Sequence, residues 1–365
     1  MRIAIFGHAV WGGVWGHSLE LAAQISKHVE VTYIEPMVPR SPLTPGFKRI
    51  HKRSVPRSVR VVSRQTELPF GSTYGIFLEL RNLFDLVRNR ADAVVSYYAL
   101  GMVFALIYAK ISKRRFVFVC VDDPDVFHQR IARITARICI PLVSRFANRT
   151  FATSLKLFEQ IQRFTNRVEY LTNGVDLGKI ETIEYQPRNH SQFTVGIVAS
   201  FGKWIDLDMI HGVAHDLKDI RFLLVGGGEC FDEMRKRFQE LTNVEITGFL
   251  SHEEAMARLS QMDLCLIPYR NDERYRRRLN RVSPVKLFEY WAAGKPVIAT
   301  AFDELKRIGK DIVVFVTNPN ELETAILELK RDEGFRRLLG RKGKQEVRKY
   351  DWETMVHRYL KALGA

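Results

Sequence analysis

The stretch SPVKLFEYWAAGKPVIAT, Ser283 to Thr300, decides the fold. It reads as a helix from about Pro284 that ends at Gly294, followed at once by a strand from Pro296. A helix feeding directly into a buried strand is the return half of a crossover between parallel strands. Working upstream, Phe193 to Ala199, Arg221 to Val225, Val244 to Thr247 and Leu264 to Pro268 read as strands. Leu207 to Leu217, Phe231 to Leu241 and Glu253 to Gln261 read as the helices between them. The same alternation opens the chain: strand Arg2 to Phe6, a glycine-rich turn, helix Ser18 to Lys27 and strand Val29 to Ile34. Ala93 to Tyr97, Phe116 to Val121 and Thr150 to Thr153 follow as strands. The fold class is therefore α/β, with two Rossmann-like domains.

A chain of 365 residues, 46% of them hydrophobic, has material for two cores. The expected organisation is an N-terminal domain over 1–180, a polar linker over 181–192 and a second domain over 193–345. A C-terminal helix over 346–365 has a return to the first domain open to it. A loop rich in proline and basic residues spans roughly 36–58, and a second arginine-rich loop lies between Tyr269 and Ser283. No run of about 18 apolar residues is present, and the N-terminus does not read as a secretory signal, so the expected location is cytoplasmic. Cys120, Cys139, Cys230 and Cys265 are scattered and imply neither a disulfide nor a metal site.

The formal net charge of +15 attracts polyanions or an anionic surface. Lys48, Arg49, Lys52, Arg53, Arg57, Arg60 and Arg64 follow one another without an acidic residue. Arg130, Arg133, Arg137, Arg145 and Arg149 punctuate a later helix. These runs read either as a solvated face or as a surface for anionic lipid. No nucleic-acid-binding motif accompanies the charge, so no nucleic-acid partner is expected.

In open α/β sheets ligands lie beyond the carboxyl ends of the strands. After the first strand come Gly12, Gly13 and Gly16, flanked by His8 and His17. They form either a phosphate or acceptor loop or a plain tight turn. After Val121 comes DDPD, where Asp122 or Asp123 is placed to deprotonate an acceptor hydroxyl, or else to cap the next helix. Asp123 and Asp125 also form a weak Asp-x-Asp metal pattern. Gly226, Gly227 and Gly228 follow a strand of the second domain and imply close approach of a ligand or of a neighbouring backbone. Lys286, in the first turn of the 283–300 helix, is placed to meet a diphosphate, and Glu289 to accept hydrogen bonds from ribose hydroxyls. The plain alternative is an ion pair between the two, which lie one turn apart.

The Ser283–Thr300 block resembles the donor-site motif of GT-B glycosyltransferases, particularly family-four-like bacterial enzymes that build capsular, teichuronic and exopolysaccharides. SFGKW (200–204), LLVGGGE (223–229), TGFLSHEE (247–254), LIPY (266–269) and TNGVD (172–176) fall in the matching order. The resemblance implies an acceptor-binding N-terminal domain, a nucleotide-sugar-binding second domain, a ligand cleft between the two domains and a donor site made of Lys203, Gly227, Leu250 (against the nucleobase), Tyr269, Lys286 (diphosphate) and Glu289 (ribose). The order of Tyr269, an arginine-rich loop and Lys-x-x-Glu is also similar to xanthan-type glucuronosyltransferases, which are inverting and use an aspartate base at the position of Asp122. Retaining family-four enzymes carry a second glutamate where this chain has Arg281, which favours inversion.

The resulting expectation is a metal-independent, cofactor-free transfer from a UDP-sugar, with UDP-glucuronate suggested by the arginines. The acceptor is a lipid-linked glycan at the inner face of the cytoplasmic membrane. A retaining enzyme using another nucleotide sugar is the alternative. A nicotinamide-dependent oxidoreductase, with Glu35 as its ribose-binding acid, and a non-catalytic membrane-surface scaffold are the remote rivals. GGVWG does not fit the dinucleotide fingerprint the oxidoreductase needs.

Overall fold

Strands that are apolar along their whole length need cover on both faces, and both halves of the chain meet that need with helices. The computed structural model describes residues 1–11, 16–36, 38–39, 55–63, 65–66, 74–121, 130–183, 192–281 and 283–365. The chain forms two units: Met1–Asn173 with Trp352–Ala365, and Gly174–Asp351. Residues 184–191 of the expected linker lie outside the described residues. Residues 174–180, read from the sequence with the first half, belong to the second unit. Val175 donates its N–H to Tyr350 O at 2.9 Å, and Val175 and Ile180 are buried in that unit's core.

The first unit runs β1 (Arg2–Phe6), α1 (His17–Ile25), β2 (Glu30–Ile34), β3 (Val38–Pro39), β4 (Val59–Val62), β5 (Gln65–Thr66) and α2 (Tyr74–Arg88). It continues with β6 (Ala93–Ser96), α3 (Val103–Ile111), β7 (Arg115–Cys120), α4 (Arg130–Phe146), β8 (Arg149–Ala152), α5 (Leu155–Gln162) and β9 (Val168–Tyr170). Its main sheet has the order β4-β2-β1-β6-β7-β8-β9, all parallel. Alternate residues of one strand face opposite layers. Ile3 and Ile5 join the core under α1, whereas Ala4 and Phe6 join the core under α2, α3, α4 and α5.

The second unit runs α6 (Leu177–Glu181), β10 (Thr194–Val198), α7 (Leu207–Asp216), β11 (Arg221–Val225), α8 (Phe231–Phe238), β12 (Val244–Ile246), α9 (His252–Ala257) and β13 (Leu264–Ile267). Then come α10 (Glu273–Leu279), α11 (Val285–Ala292), β14 (Val297–Thr300), α12 (Asp303–Gly309), β15 (Val313–Val316), α13 (Pro319–Arg331) and α14 (Glu333–Glu346). The sheet order is β12-β11-β10-β13-β14-β15. Phe222 and Leu224 face one core layer, Leu223 and Val225 the other.

Helix α15 (Trp352–Leu363) returns to the first unit and lies beside α1. Trp352, Met355, Val356, Tyr359, Leu360 and Leu363 are all buried there. His17 ties the arrangement together: its Nδ1 lies 2.6 Å from Tyr97 Oη, its Nε2 3.4 Å from Tyr359 Oη, and its ring 5.0 Å from that of Trp352.

Strands β4, β9 and β15 were not expected from the sequence. All three are short and lie at sheet edges, and Arg60 and Glu169 interrupt the first two, so neither has a continuous apolar run. The arginine-rich stretch expected as a loop contains α10, because Asp272 Oδ1 accepts the Tyr275 N–H and caps a helical turn. All four cysteines are free and buried. Among the described residues no helix is long and apolar enough to cross a membrane.

Removing Trp352–Ala365 strips six buried apolar side chains from the first core, each contributing about 1.5–3 kcal/mol, against a typical stability of roughly 5–15 kcal/mol for a domain. The expected outcome is loss of the cooperative unfolding transition of the first unit and rapid proteolysis within residues 1–173, read by thermal melts and limited digestion.

Candidate functional site

In the second unit the strand order changes direction between β10 and β13, which is where an open parallel sheet receives a ligand. The loops leaving these two strands are tied to each other. Ile205 and Tyr269 form an antiparallel bridge, Asp206 N–H donates to Pro268 O at 2.9 Å, and Arg270 N–H donates to Trp204 O at 2.9 Å. Tyr269 N–H also donates to Thr300 Oγ1 at 3.0 Å, which fixes the end of β14 against them.

The glycine run after β11 has a backbone reason. Gly226 and Gly228 have φ of +124° and +154°, where a side chain is strained. A Cβ on Gly226 would lie 2.0 Å from Ala199 O, and one on Gly228 2.5 Å from Phe201 O. The ends of β10 and β11 therefore approach as closely as backbone allows. Gly227 differs, since a Cβ there would meet only the ring of Phe249, at 2.5 Å. Phe249 is 59% exposed, so the neighbour of Gly227 is a surface side chain rather than backbone. Lys203 Nζ lies 3.2 Å from Glu229 Oε1, and that carboxylate raises the lysine's pKa.

Helix α11 carries Lys286 in its first turn and Glu289 one turn on. The two do not pair with each other. Glu289 Oε1 lies 2.8 Å from His252 Nε2, and Lys286 has no ion-pair partner among the described residues. His252 is the first residue of α9, set there by a capping box in which Ser251 Oγ accepts the Glu254 N–H and Glu254 accepts the Ser251 N–H. A neutral ring that donates Nε2–H to the carboxylate leaves Nδ1 as an acceptor, and Nδ1 is buried with no partner among the described residues. Sequence reading missed His252 although it lies inside TGFLSHEE; its spacing to Glu289 is non-local. Leu250 is half-buried against the core that holds Leu287. Lys203, Gly227, Leu250, Tyr269, Lys286 and Glu289 thus all belong to loops or helix starts on one unit, and contacts link Lys203 to Glu229, Gly227 to Phe249 and Glu289 to His252.

Two of the arginines near α10 are engaged within the protein. Arg270 Nη2 lies 3.3 Å from Asp208 Oδ2, and Arg276 donates to Asn271 Oδ1 at 2.8 and 3.2 Å. The side chains of Arg274, Arg277 and Arg278 lie outside the described residues.

In the first unit the change of direction falls between β1 and β6. His8 follows β1 and Tyr97 follows β6, with ring centroids 4.9 Å apart. His8 Nδ1 is buried without a hydrogen-bond partner among the described residues, and burial lowers the ring's pKa to about 4. His17 is lowered to about 3 by burial and by His8, and its two nitrogens face Tyr97 and Tyr359, inside the core rather than toward a ligand. Glu35 is buried and accepts the Trp11 N–H at 2.8 Å. Gly12, Gly13, Asp122, Asp123 and Asp125 lie outside the described residues.

Residues 193–332 match the family model described as Glycosyl transferases group 1. Over 275 residues the chain is 25% identical to an uncharacterized glycosyltransferase of Methanocaldococcus jannaschii, covering 73% of each. It is 24% identical over 214 residues to TuaH of Bacillus subtilis, a protein named for teichuronic acid biosynthesis, covering 54% of this chain and 51% of TuaH. Among solved structures it is similar to Anabaena HepE in complex with UDP-glucose, with a TM-score of 0.73 at 16% identity, covering 100% of this chain and 99% of that one. The GT-B arrangement of two Rossmann-like domains is the fold these structures share with the chain.

The crossing at Gly228 predicts that Gly228→Ala costs at least about 1–2 kcal/mol of stability, from the positive φ alone, measured by denaturant unfolding. The buried histidines set a pH dependence. Their folded pKa values, about 4 and about 3, lie below the ordinary histidine value of 6.5, so between those limits the unfolded chain binds protons that the folded chain does not. Stability is complete above about pH 6.5 and falls as the pH drops through that window. Thermal midpoints across the window should decline toward acid, and His17→Gln should flatten the decline.

Proposed function

We propose that this chain, whose residues 193–332 match the glycosyl transferases group 1 model on a GT-B fold, transfers a sugar from a UDP-sugar to a hydroxyl of a lipid-linked glycan, as a step of polysaccharide biosynthesis. The observation that carries the reading is α11, with Lys286, which has no ion-pair partner among the described residues, at its start and, one turn on, a Glu289 whose carboxylate is held by His252. Lys286, in that first turn, meets the diphosphate. Glu289, with Oε1 held, presents Oε2 to the ribose. Leu250 and Tyr269 line the base and sugar side, and Lys203 reaches the phosphates when it exchanges Glu229 for them. HepE, crystallised with UDP-glucose, supports a UDP-linked donor, and the likeness to TuaH supports a polysaccharide product.

The proposed chemistry is a single inverting displacement. Asp122 takes the proton of the acceptor hydroxyl, the acceptor oxygen forms its bond to the anomeric carbon, and the bond from that carbon to the diphosphate breaks. The departing UDP takes the electron pair, and its charge is met by Lys286. The reading needs no metal. Arg281 in place of a second glutamate favours inversion over retention, and the arginines of this stretch suggest a uronic acid donor. The oxidoreductase reading loses its ribose-binding acid, because Glu35 is committed to the Trp11 N–H. The proposed workplace is the inner face of the cytoplasmic membrane.

Lys286→Ala should weaken UDP binding by about 10- to 100-fold, the loss of a charge-assisted contact worth roughly 1.5–3 kcal/mol, measured by calorimetric titration. Unchanged affinity would sink the assignment. Asp122→Asn should leave UDP affinity intact and lower transfer by about 100-fold or more. Activity lost in chelator and restored by a divalent ion would instead favour Asp123 and Asp125 as metal ligands.

A further inference from the structure

One layer of helices in the first unit is turned with apolar side chains outward. Helix α2 shows the inversion most plainly. Its polar residues serve the protein: Asn82 is buried and donates to Gly101 O at 2.6 Å, Asp85 is buried beside Arg81, and Glu79 accepts the N–H groups of Val103 and Phe104 at 3.0 and 2.8 Å. Phe77, Leu80, Phe84 and Val87, spaced three, four and three apart, form a single stripe and are all exposed. On α3, Phe104, Ile107 and Ile111 repeat the pattern, Ile111 being 77% exposed. On α4, Ile134, Ile138, Leu142 and Phe146 repeat it again.

These stripes share one surface. Leu86 of α2, Leu106 of α3 and Val143 of α4 pack into the same core on the same face of the sheet, and α3 contacts both α2 and α4. The residues opposite them therefore lie together on the outer side of the layer. Eleven of the nineteen exposed large hydrophobic residues among those described are on these three helices. An apolar patch of this extent marks an interaction surface rather than ordinary exposed surface.

The charge on the same helices selects the occupant. Arg81, Arg88, Lys110, Arg137 and Arg145 are exposed, α3 and α4 carry no acidic residue, and both acids of α2 are engaged as above. Arginine and lysine stems lie along apolar surface while their heads reach outward, the arrangement that suits acyl chains below and phosphate headgroups above. A second copy of the chain would bring an equally cationic rim with no acid to meet it.

We propose that the outer surface of the α2–α3–α4 layer docks on an anionic lipid bilayer. This places the membrane contact on folded helices rather than on the basic 48–64 stretch, of which residues 48–54 and 64 lie outside the described residues. The inference rests on the preceding reading only for the reason a bilayer matters, the lipid-borne acceptor; vesicle binding tests it without any transfer reaction.

The test is co-sedimentation of the full chain with vesicles of equal parts phosphatidylcholine and phosphatidylglycerol, and with phosphatidylcholine alone. The wild type should bind the anionic vesicles more tightly, and salt should weaken binding. The double variant Ile107→Ser, Ile138→Ser changes two exposed side chains and should lose about tenfold or more in vesicle affinity, with unchanged thermal midpoint and unchanged UDP titration. Arg137→Glu should lose affinity for the anionic vesicles only. Wild type that binds neither vesicle overturns the proposal, as does a double variant that binds like wild type. A wild-type dimer by sedimentation that the double variant dissociates, without vesicle binding, overturns it in favour of a second copy. In each of these results an intact UDP titration leaves the donor-site reading standing.

Discussion

Every strand pairing described in the two main sheets is parallel, and a parallel sheet must be covered on both faces. That requirement organises the molecule. In the second unit the crossover helices, with α13 and α14, suffice. In the first unit α2, α3, α4 and α5 crowd one face, whereas the other receives α1 and then α15, the last helix of the chain. The C-terminal segment is thus a structural part of the N-terminal unit, and His17, Tyr97, Trp352 and Tyr359 form the polar and aromatic seam that seats it. A buried polar seam of this kind is favourable only while its groups stay paired and neutral, which is why burial holds His17 unprotonated.

The same topology creates the functional edges. Where strand order changes direction, neighbouring loops diverge and leave a crevice. In the second unit the crevice is braced by backbone: the Ile205–Tyr269 bridge on one side and the glycine crossing at Gly226 and Gly228 on the other. Side chains that must be placed with precision sit on the braced elements. Glu289 is the best example, since it projects from a helix whose neighbours Leu287, Phe288, Tyr290 and Trp291 are fully buried and is then held by His252. Tyr290 itself bonds the backbone of Val198 at the end of β10, so helix and strand end are one rigid piece.

The outward apolar stripes of the first unit follow from the same economy of cover. One layer of helices already saturates that sheet face, and the inward positions of α2 to α4 combine Leu86, Leu106 and Val143 with small or polar groups such as Asn82, Ala105 and Ala109. The large apolar residues are left on the far side, where only an external apolar phase satisfies them.

The sequence by itself determined the class of fold, because continuous apolar strands alternating with helices admit few arrangements, and it located most core strands to within a residue or two. It also identified α11 with Lys286 and Glu289, since those residues are one turn apart and local spacing survives folding. Tertiary structure alone decided what was non-local: the short edge strands β4, β9 and β15, whose pairing rather than composition defines them. It decided that Glu289 bonds His252, 37 positions away, and not Lys286. It decided that Gly226 and Gly228 answer to a neighbouring backbone, that His17 belongs to a core, and that the apolar faces of α2, α3 and α4 point outward. Periodicity reveals that a helix has two faces, but only packing against the sheet determines which of them is inside.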